Sequence, residues 1–257
     1  MLRKIRRQLP GADLLYVADS GYAPYGDRPE QYVIDRSITV ADFLVGQGAD
    51  IIVVACNTAT AVAVGRLRQR LTVPVVGIEP AVKPAAALTR SGVVGVLATP
   101  RTLATSRFDQ LVTEYAGETR VLQQPCAGLA DQVERGDLDS EQTRSLVARF
   151  VQPLVEEGAD VLALGCTHYS FVKPLITELT AGRDITLLDP APAVARQVVR
   201  RLQEAGVVAT RAHGRERFWT SGDLKSVGDR IAQLWGERIA LEPLTAGPKG
   251  PALQVMD

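Results

Sequence analysis

The chain has 257 residues, and its 29 Lys and Arg balance its 29 Asp and Glu, so the formal net charge at pH 7 is zero. This balance argues against nucleic acid as a partner. No apolar run reaches the roughly 18 residues that a membrane span needs, and no apolar signal segment opens the sequence. We therefore expect a soluble protein of the cytoplasm, with no membrane partner.

Short apolar segments recur along the chain and predict strands. Each is continuous instead of alternating, which is typical of a strand buried on both faces of a parallel sheet. The segments are LLYVA (14–18), IIVVA (51–55), VPVVGI (73–78), VVGVLAT (93–99), VLALG (161–165) and ITLLD (185–189). Helical patterns cover residues 29–48, 58–70, 101–116 and 139–157. The alternation predicts an α/β fold whose ligands bind in loops at the carboxyl ends of the strands.

The loop after the first predicted strand is unusually constrained. It belongs to the stretch VADSGYAPYGD, residues 17–27, and follows a strand end, where such sheets bind their ligands. Pro24 fixes one backbone torsion, and the glycines on either side of it allow a ligand to approach the backbone closely. The loop is therefore a candidate lining of a binding site.

Two stretches of the chain repeat each other and end in cysteine. They are GADIIVVACNT (48–58) and GADVLALGCTH (158–168), in which Gly and Cys are eight residues apart. The match indicates two related halves. Each cysteine would lie at a strand end, beside the free N–H groups of the next helix, where the thiol pKa is lowered. Cys56 and Cys166 are therefore candidate catalytic thiols.

Two thiols that face each other across a cleft suit the inversion of a carbon centre. One thiolate removes a proton from one face of the carbon, and the opposing thiol returns a proton to the other face. Two alternatives remain: the cysteines are core residues, or Cys56, Cys166, His168 and His213 bind a metal, although no C-x-x-C or H-x-x-x-H spacing supports that site. Cys126 lacks the strand-end context, and we predict a structural role for it.

Six motifs occur in an order that resembles one enzyme family. They are PYG (24–26), ACNTATA (55–61), GIEPAVKPA (77–85), GVLATPRTLATSRF (95–108), LGCTHY (164–169) and TSGD (220–223). With these motifs the chain resembles the cofactor-independent aspartate/glutamate racemase superfamily, and within it the glutamate racemases, to about Gly236. The resemblance implies no metal or other cofactor, glutamate as the substrate, and a homodimer.

The resemblance also implies a domain plan. Family members have two pseudo-symmetric, flavodoxin-like α/β domains with parallel sheets, and the active site lies in the cleft between them. In this chain the first domain would comprise residues 1–80 and 190–243, and the second residues 81–189. Residues 244–257, rich in Gly and Pro, would form a loose tail.

Site residues carry over from the family by position. Cys56 and Cys166 match the two acid/base thiols, His168 matches the group that assists the second thiol, and Asp19 and Glu134 match acidic positions proposed to assist. The alternatives are that Asp19 caps its own turn and that Glu134 is a solvated helix residue. The residues expected to hold or line the substrate are Pro24, Tyr25, Gly26, Asn57, Thr58 and Thr167.

The leading hypothesis is interconversion of L- and D-glutamate by two thiols, which supplies D-glutamate for peptidoglycan synthesis. The alternatives are an aspartate or hydantoin racemase of the same superfamily, and a racemase-like binding protein without turnover. Family members carry a further strand and an Asp-Ser-Gly loop ahead of the segment that begins here at Met1. We expect the true start to lie upstream, and a genuine loss of this segment is the other explanation.

Overall fold

The computed structural model describes residues 1–26, 28–208 and 211–245. Its strands are β1 (Leu14–Ala18), β2 (Ile52–Val54), β3 (Val75–Gly77), β4 (Val93–Ala98), β5 (Arg120–Pro125), β6 (Val161–Gly165), β7 (Thr186–Leu188), β8 (Glu216–Thr220) and β9 (Leu241–Pro243). Its helices are α1 (Leu2–Gln8), α2 (Glu30–Gly46), α3 (Asn57–Arg70), α4 (Val82–Leu88), α5 (Pro100–Leu103), α6 (Ser106–Tyr115), α7 (Leu129–Glu134), α8 (Glu141–Glu156), α9 (Lys173–Leu179), α10 (Ala191–Glu204) and α11 (Leu224–Trp235). Each of the six predicted strands is confirmed, whereas β5, β8 and β9 were not predicted.

One predicted helix is interrupted. The pattern over 101–116 predicts a single helix, but the structure has α5 and α6 there. Each begins at its own threonine cap: the hydroxyl of Thr99 accepts a hydrogen bond from the Thr102 amide, and that of Thr105 accepts one from the Phe108 amide. Because a capping threonine satisfies amides at the start of a helix, the second cap starts a new helix.

All strand pairs in the described residues are parallel, as the continuous apolar segments predict. The central four-stranded sheet has the order β5-β4-β6-β7. A second sheet has the order β1-β8-β9, and β2 and β3 form a pair of their own. Strands from both ends of the chain therefore share one sheet, since Leu14 of β1 pairs with Glu216 of β8.

We propose to divide the chain as the resemblance implies. The central unit, residues 81–189, contains β4 to β7, and the terminal unit, residues 1–80 and 190–243, contains the other strands. The tail proposed for 244–257 begins with Leu244, whose amide donates to the Thr220 carbonyl at 2.7 Å. Residues 246–257 lie outside the described residues.

The central sheet carries apolar side chains on both faces. Every residue of β6 is buried. Its residues alternate between two clusters: Leu162 and Leu164 pack with α8 and α9, while Val161 and Ala163 pack with α4 and α6. Burial on both faces explains why the sequence of this strand is an unbroken apolar run, and the strand ends at Gly165, directly before Cys166.

None of the helices in the described residues has the length and apolar character needed to cross a membrane.

Candidate active site

The repeated stretches fold in the same way up to the start of each strand. Helices α2 and α8 both run into a glycine with positive φ, 88° at Gly48 and 92° at Gly158. In both halves the residue after the glycine donates its amide back to the helix, at 3.1 Å in the first and 3.0 Å in the second. This left-handed helix end favours glycine, so the repeated Gly has a shared physical cause.

The first cysteine caps a long helix. Cys56 precedes α3, and its Sγ accepts a hydrogen bond from the Ala59 amide at 3.5 Å. Burial nevertheless raises the pKa of the Cys56 thiol, and the Ala59 amide offsets this only in part. The lowered pKa predicted from the helix end is therefore wrong for Cys56, because desolvation outweighs the helix N-terminus. Cys56 is a protonated thiol near neutral pH.

The second cysteine has different surroundings. Cys166 follows β6 and is buried, but the segment after it is a single 3₁₀ turn, Thr167–Ser170, and the Cys166 side chain caps nothing. Its Sγ lies 3.7 Å from His168 Nδ1 instead. The helix predicted to start after this cysteine is thus only a 3₁₀ turn, and an imidazole is the polar partner of the thiol.

His168 belongs to a chain of charged groups that spans the two units. Its Nε2 lies 2.7 Å from Glu134 Oε1, and Glu134 Oε2 lies 3.4 Å from Arg230 Nη1 of α11. Burial lowers the His168 pKa, but the hydrogen bonds with Cys166 and Glu134 outweigh it and hold that pKa well above its ordinary value. The hydrogen bond with His168 in turn lowers the Glu134 pKa. Glu134 is thus bonded to His168 and is not a freely solvated helix residue.

The two strand ends meet. The hydroxyl of Thr167, next to the second cysteine, donates to the carbonyl of Ala55, next to the first, at 2.9 Å. A negative charge on Cys166 raises the Cys56 pKa, and a positive charge on His168 lowers it. Both side chains therefore lie close enough to Cys56 to affect its ionisation. The structure therefore brings Cys56, Cys166 and His168 together.

Polar side chains gather beside Cys56. Asn57 is only 4% exposed, yet neither atom of its side-chain amide has a hydrogen-bond partner among the described residues. The Thr58 hydroxyl lies 3.4 Å from that of Thr99 and 3.3 Å from that of Thr102. A buried amide without a partner is costly, and it marks a place where a polar ligand would be held.

The loop with Pro24, Tyr25 and Gly26 is anchored through Asp19. The Tyr25 hydroxyl donates to Asp19, which also accepts hydrogen bonds from Nη2 and Nε along one edge of the Arg36 guanidinium, at 2.7 and 3.1 Å. The Ser221 hydroxyl donates to the same carboxylate at 2.8 Å. These bonds engage both oxygens of Asp19 and none reaches a cysteine, so the structure does not place this predicted catalytic carboxylate at a sulfur.

Several of these partners were missed by sequence reasoning. Ser221 and Thr102 lie inside quoted motifs, TSGD and GVLATPRTLATSRF, so the motifs gave the segment but not the side chain. Arg36 and Arg230 lie on helices, with no local signal that separates them from solvated arginines. Arg101 is partly buried and donates to the carbonyls of Gly26 and Arg28, close to Tyr25 in the chain.

The alternative of a metal site requires several donor side chains that lie close together. The described residues contain no group of three or more His, Cys, Asp and Glu side chains arranged to hold a metal ion. Cys126 is buried, its Sγ lies 3.4 Å from the Gln124 carbonyl, and burial raises its pKa. The expectation that Cys126 lacks a strand-end context is wrong, because it directly follows β5 and its amide donates to the Ala98 carbonyl at 2.8 Å.

Known glutamate racemases are similar to this chain over most of its length. The glutamate racemase of Methylococcus capsulatus is 49% identical over 248 residues, which cover 96% of this chain and 91% of that protein. The glutamate racemase of Pseudomonas aeruginosa PAO1 is 47% identical over 237 residues, covering 92% of this chain and 89% of that protein. The resemblance predicted from the motifs is confirmed.

Solved structures agree with the fold. The RacE1 isoform of glutamate racemase from Bacillus anthracis aligns with a TM-score of 0.84 and 29% identity, covering 95% of this chain and 91% of that one. The Escherichia coli glutamate racemase, solved with L-glutamate and the activator UDP-MurNAc-Ala, aligns with a TM-score of 0.85 and 25% identity, covering 96% and 94%. The predicted α/β fold with parallel sheets is confirmed. The family model of Asp/Glu/Hydantoin racemase matches residues 1–198, and the chain belongs to this racemase family.

Proposed function

We propose that the protein interconverts L- and D-glutamate by passing the α-proton between Cys56 and Cys166. The observation that carries this proposal is the meeting of the two strand ends, joined by the hydrogen bond from Thr167 to the Ala55 carbonyl. This contact supports a site with one thiol that has no imidazole beside it and one thiol whose Sγ lies 3.7 Å from His168 Nδ1. The glutamate racemases that match this chain support glutamate as the substrate.

The two thiols divide the work of one proton transfer. A positively charged imidazole beside Cys166 is the partner that a thiolate needs, so Cys166 acts as the base on one face of the α-carbon. Cys56, whose pKa burial raises, is the acid that returns a proton to the other face. The reverse reaction exchanges these roles. Each turnover leaves the proton on the opposite thiol and the substrate as its mirror image.

The polar cluster beside Cys56 would hold the reacting end of the substrate. The α-proton of an amino acid is a very weak acid, so the site must stabilise the developing carbanion. We assign the amino group and α-carboxylate to Asn57, Thr58 and Thr167, and the unpartnered buried amide of Asn57 supports this assignment. Pro24, Tyr25 and Gly26 would line the site from the other side.

The proposal needs neither a metal nor pyridoxal phosphate, because the two thiols carry the proton in both directions. It places the enzyme in the cytoplasm, where D-glutamate enters peptidoglycan precursors, and it includes the homodimer that the resemblance implies. Light scattering on the purified protein would measure the dimer, and a monomer with full activity would remove that part of the proposal.

Incubation with separate L-amino acids in heavy water tests the reaction. We expect L-glutamate to lose its optical rotation and to exchange its α-proton for deuterium, while L-aspartate does neither. Turnover of L-aspartate instead would show that the protein is an aspartate racemase. Binding of D-glutamate without α-proton exchange would replace the enzyme with a binding protein.

A further inference from the structure

One cation of the central unit reaches across the cleft to the Tyr25 loop. From α5, Arg101 donates through Nε to the Gly26 carbonyl at 3.3 Å and through Nη2 to the Arg28 carbonyl at 2.6 Å. The side chain is partly buried, and no described carboxylate forms an ion pair with it. Its hydrogen-bond partners in the described residues are these two backbone carbonyls of the loop.

The opposite attachment of the loop lies in the terminal unit. There the Tyr25 hydroxyl is bonded to Asp19, which the buried Arg36 holds with two hydrogen bonds. Gly26 itself gives the loop little packing, since a Cβ built on it would meet nothing within 4 Å. The loop is therefore tied to the terminal unit at Tyr25 and to the central unit at the two carbonyls that Arg101 binds.

The base of Arg101 is itself fixed to the central unit. Helix α5 begins directly after the buried strand β4, with a proline in its first turn and Thr99 as its cap. Its Thr102 is 2% exposed, and the Thr102 hydroxyl lies 2.9 Å from that of Thr99. The guanidinium can therefore reach the loop only while the central and terminal units keep the relative position seen in this structure.

We propose that Arg101 is a positioning residue that latches the Pro24–Tyr25–Gly26 loop to the central unit when the cleft is closed. Arginine suits this task because its planar fork presents two donors along one edge, and charged donors make stronger hydrogen bonds than neutral ones. The proposal rests on the proposed function in one respect, namely that this loop lines the glutamate site. Arg101 acts through the loop and takes no part in proton transfer.

Three variants test the latch. Arg101→Ala removes both hydrogen bonds, and Arg101→Lys keeps the charge but not the fork. Arg120→Ala is the matched control, because Arg120 lies in the same unit and forms an exposed ion pair with Glu157 far along the chain from the loop. Amide hydrogen exchange of residues 22–28 is measured on the protein without substrate, and kcat and KM are measured for L-glutamate.

We expect Arg101→Ala to speed amide exchange in the loop and to raise KM about tenfold, since two charge-assisted hydrogen bonds are lost, while kcat falls less than threefold. Arg101→Lys should recover part of the KM loss, and Arg120→Ala should change neither measurement. A merely structural Arg101 would lower the thermal midpoint without this split between KM and kcat.

The outcomes separate the two proposals. Unchanged loop exchange together with an unchanged KM in Arg101→Ala would overturn the latch. Failure of the unaltered protein to racemise glutamate would overturn the proposed function instead, whereas faster loop exchange in Arg101→Ala would then still establish the latch. Equal effects of Arg101→Ala and Arg120→Ala would also overturn the latch, because they would reflect loss of surface charge alone.

Discussion

The two cysteines end equivalent strands, yet the charged groups near them are organised in opposite ways. On the first side, Asp19 and Arg36 pair with side chains only 10% and 7% exposed, and this pair holds the Tyr25 loop without touching a sulfur. On the second side, His168 and Glu134 are 34% and 46% exposed, and His168 approaches Cys166 directly.

The two charged pairs therefore have different tasks, one in the shape of the site and one in its protonation. A buried ion pair with two hydrogen bonds is held in one arrangement, so it can define the shape of a loop. A partly exposed histidine bonded to a carboxylate can gain and lose a proton, and His168 keeps its proton to a higher pH than an ordinary histidine. The repeated backbone therefore supplies two similar strand ends, but the charged groups beside them differ. On the first side Asp19 and Arg36 hold a loop rigidly in place, and on the second side His168 is a titratable group.

The largest effect is expected when either sulfur is removed. Cys56→Ser and Cys166→Ser should each lower glutamate racemisation by about 10³-fold or more, because a serine hydroxyl is a far weaker acid and base near neutral pH. Circular dichroism of the substrate measures the rate. Cys126→Ser is the control, since Cys126 has no part in the proposed proton transfer and should leave the rate within a few-fold. Near-normal turnover in either active-site variant would refute the two-thiol scheme.

The rigid side can be broken without touching a sulfur. Arg36→Ala leaves Asp19 as a buried carboxylate without its cation, and we expect the free energy of unfolding to fall by about 3–5 kcal/mol. Arg70→Ala is the control: its pair with Asp42 is exposed, so the loss should stay below about 1 kcal/mol. Urea unfolding measures both. Equal losses in the two variants would show that burial does not distinguish the Asp19 pair.

The titratable side should respond in its chemistry instead of its stability. His168→Asn removes the imidazolium beside Cys166, and we expect kcat/KM to fall about 100-fold with little change in the thermal midpoint. Because the two enantiomers have equal free energies, kcat/KM must fall equally for both. The asymmetry appears in isotope effects: with α-deuterated substrate, the effect should rise for the enantiomer that Cys166 deprotonates and fall for the other. Equal isotope effects would place His168 outside the Cys166 step.

The site could be predicted from the sequence as far as its local features reach. The repeated Gly-to-Cys spacing predicts two equivalent strand ends, and the structure brings Cys56 and Cys166 to one place. The sequence could not predict their unlike surroundings. That difference depends on the 3₁₀ turn after Cys166 and on burial at Cys56, which outweighs the helix end.

The fold shows the same limit. Strands buried on both faces are continuous apolar runs and were predicted, whereas β5 and β8 carry exposed polar positions such as Arg120 and Glu216 and lack that signal. Long-range partners are harder still, because Glu134 and Arg230 are 96 residues apart and Arg101 bonds to carbonyls more than 70 residues away. Such contacts follow from tertiary packing and leave no local pattern.

The smallest expected effect tests how Glu134 controls the charge of His168. Glu134 raises the His168 pKa through its hydrogen bond and its negative charge, so Glu134→Gln should lower that pKa. The imidazolium exists below the His168 pKa, and the alkaline limb of the kcat profile should therefore move to lower pH. Glu178→Gln removes an exposed carboxylate paired with Arg144 and should leave the limb in place. If the limb of Glu134→Gln also stays in place, Glu134 only orients the imidazole ring. The difference between the rigid side and the titratable side would then depend on His168 alone, without a contribution from the charge of Glu134.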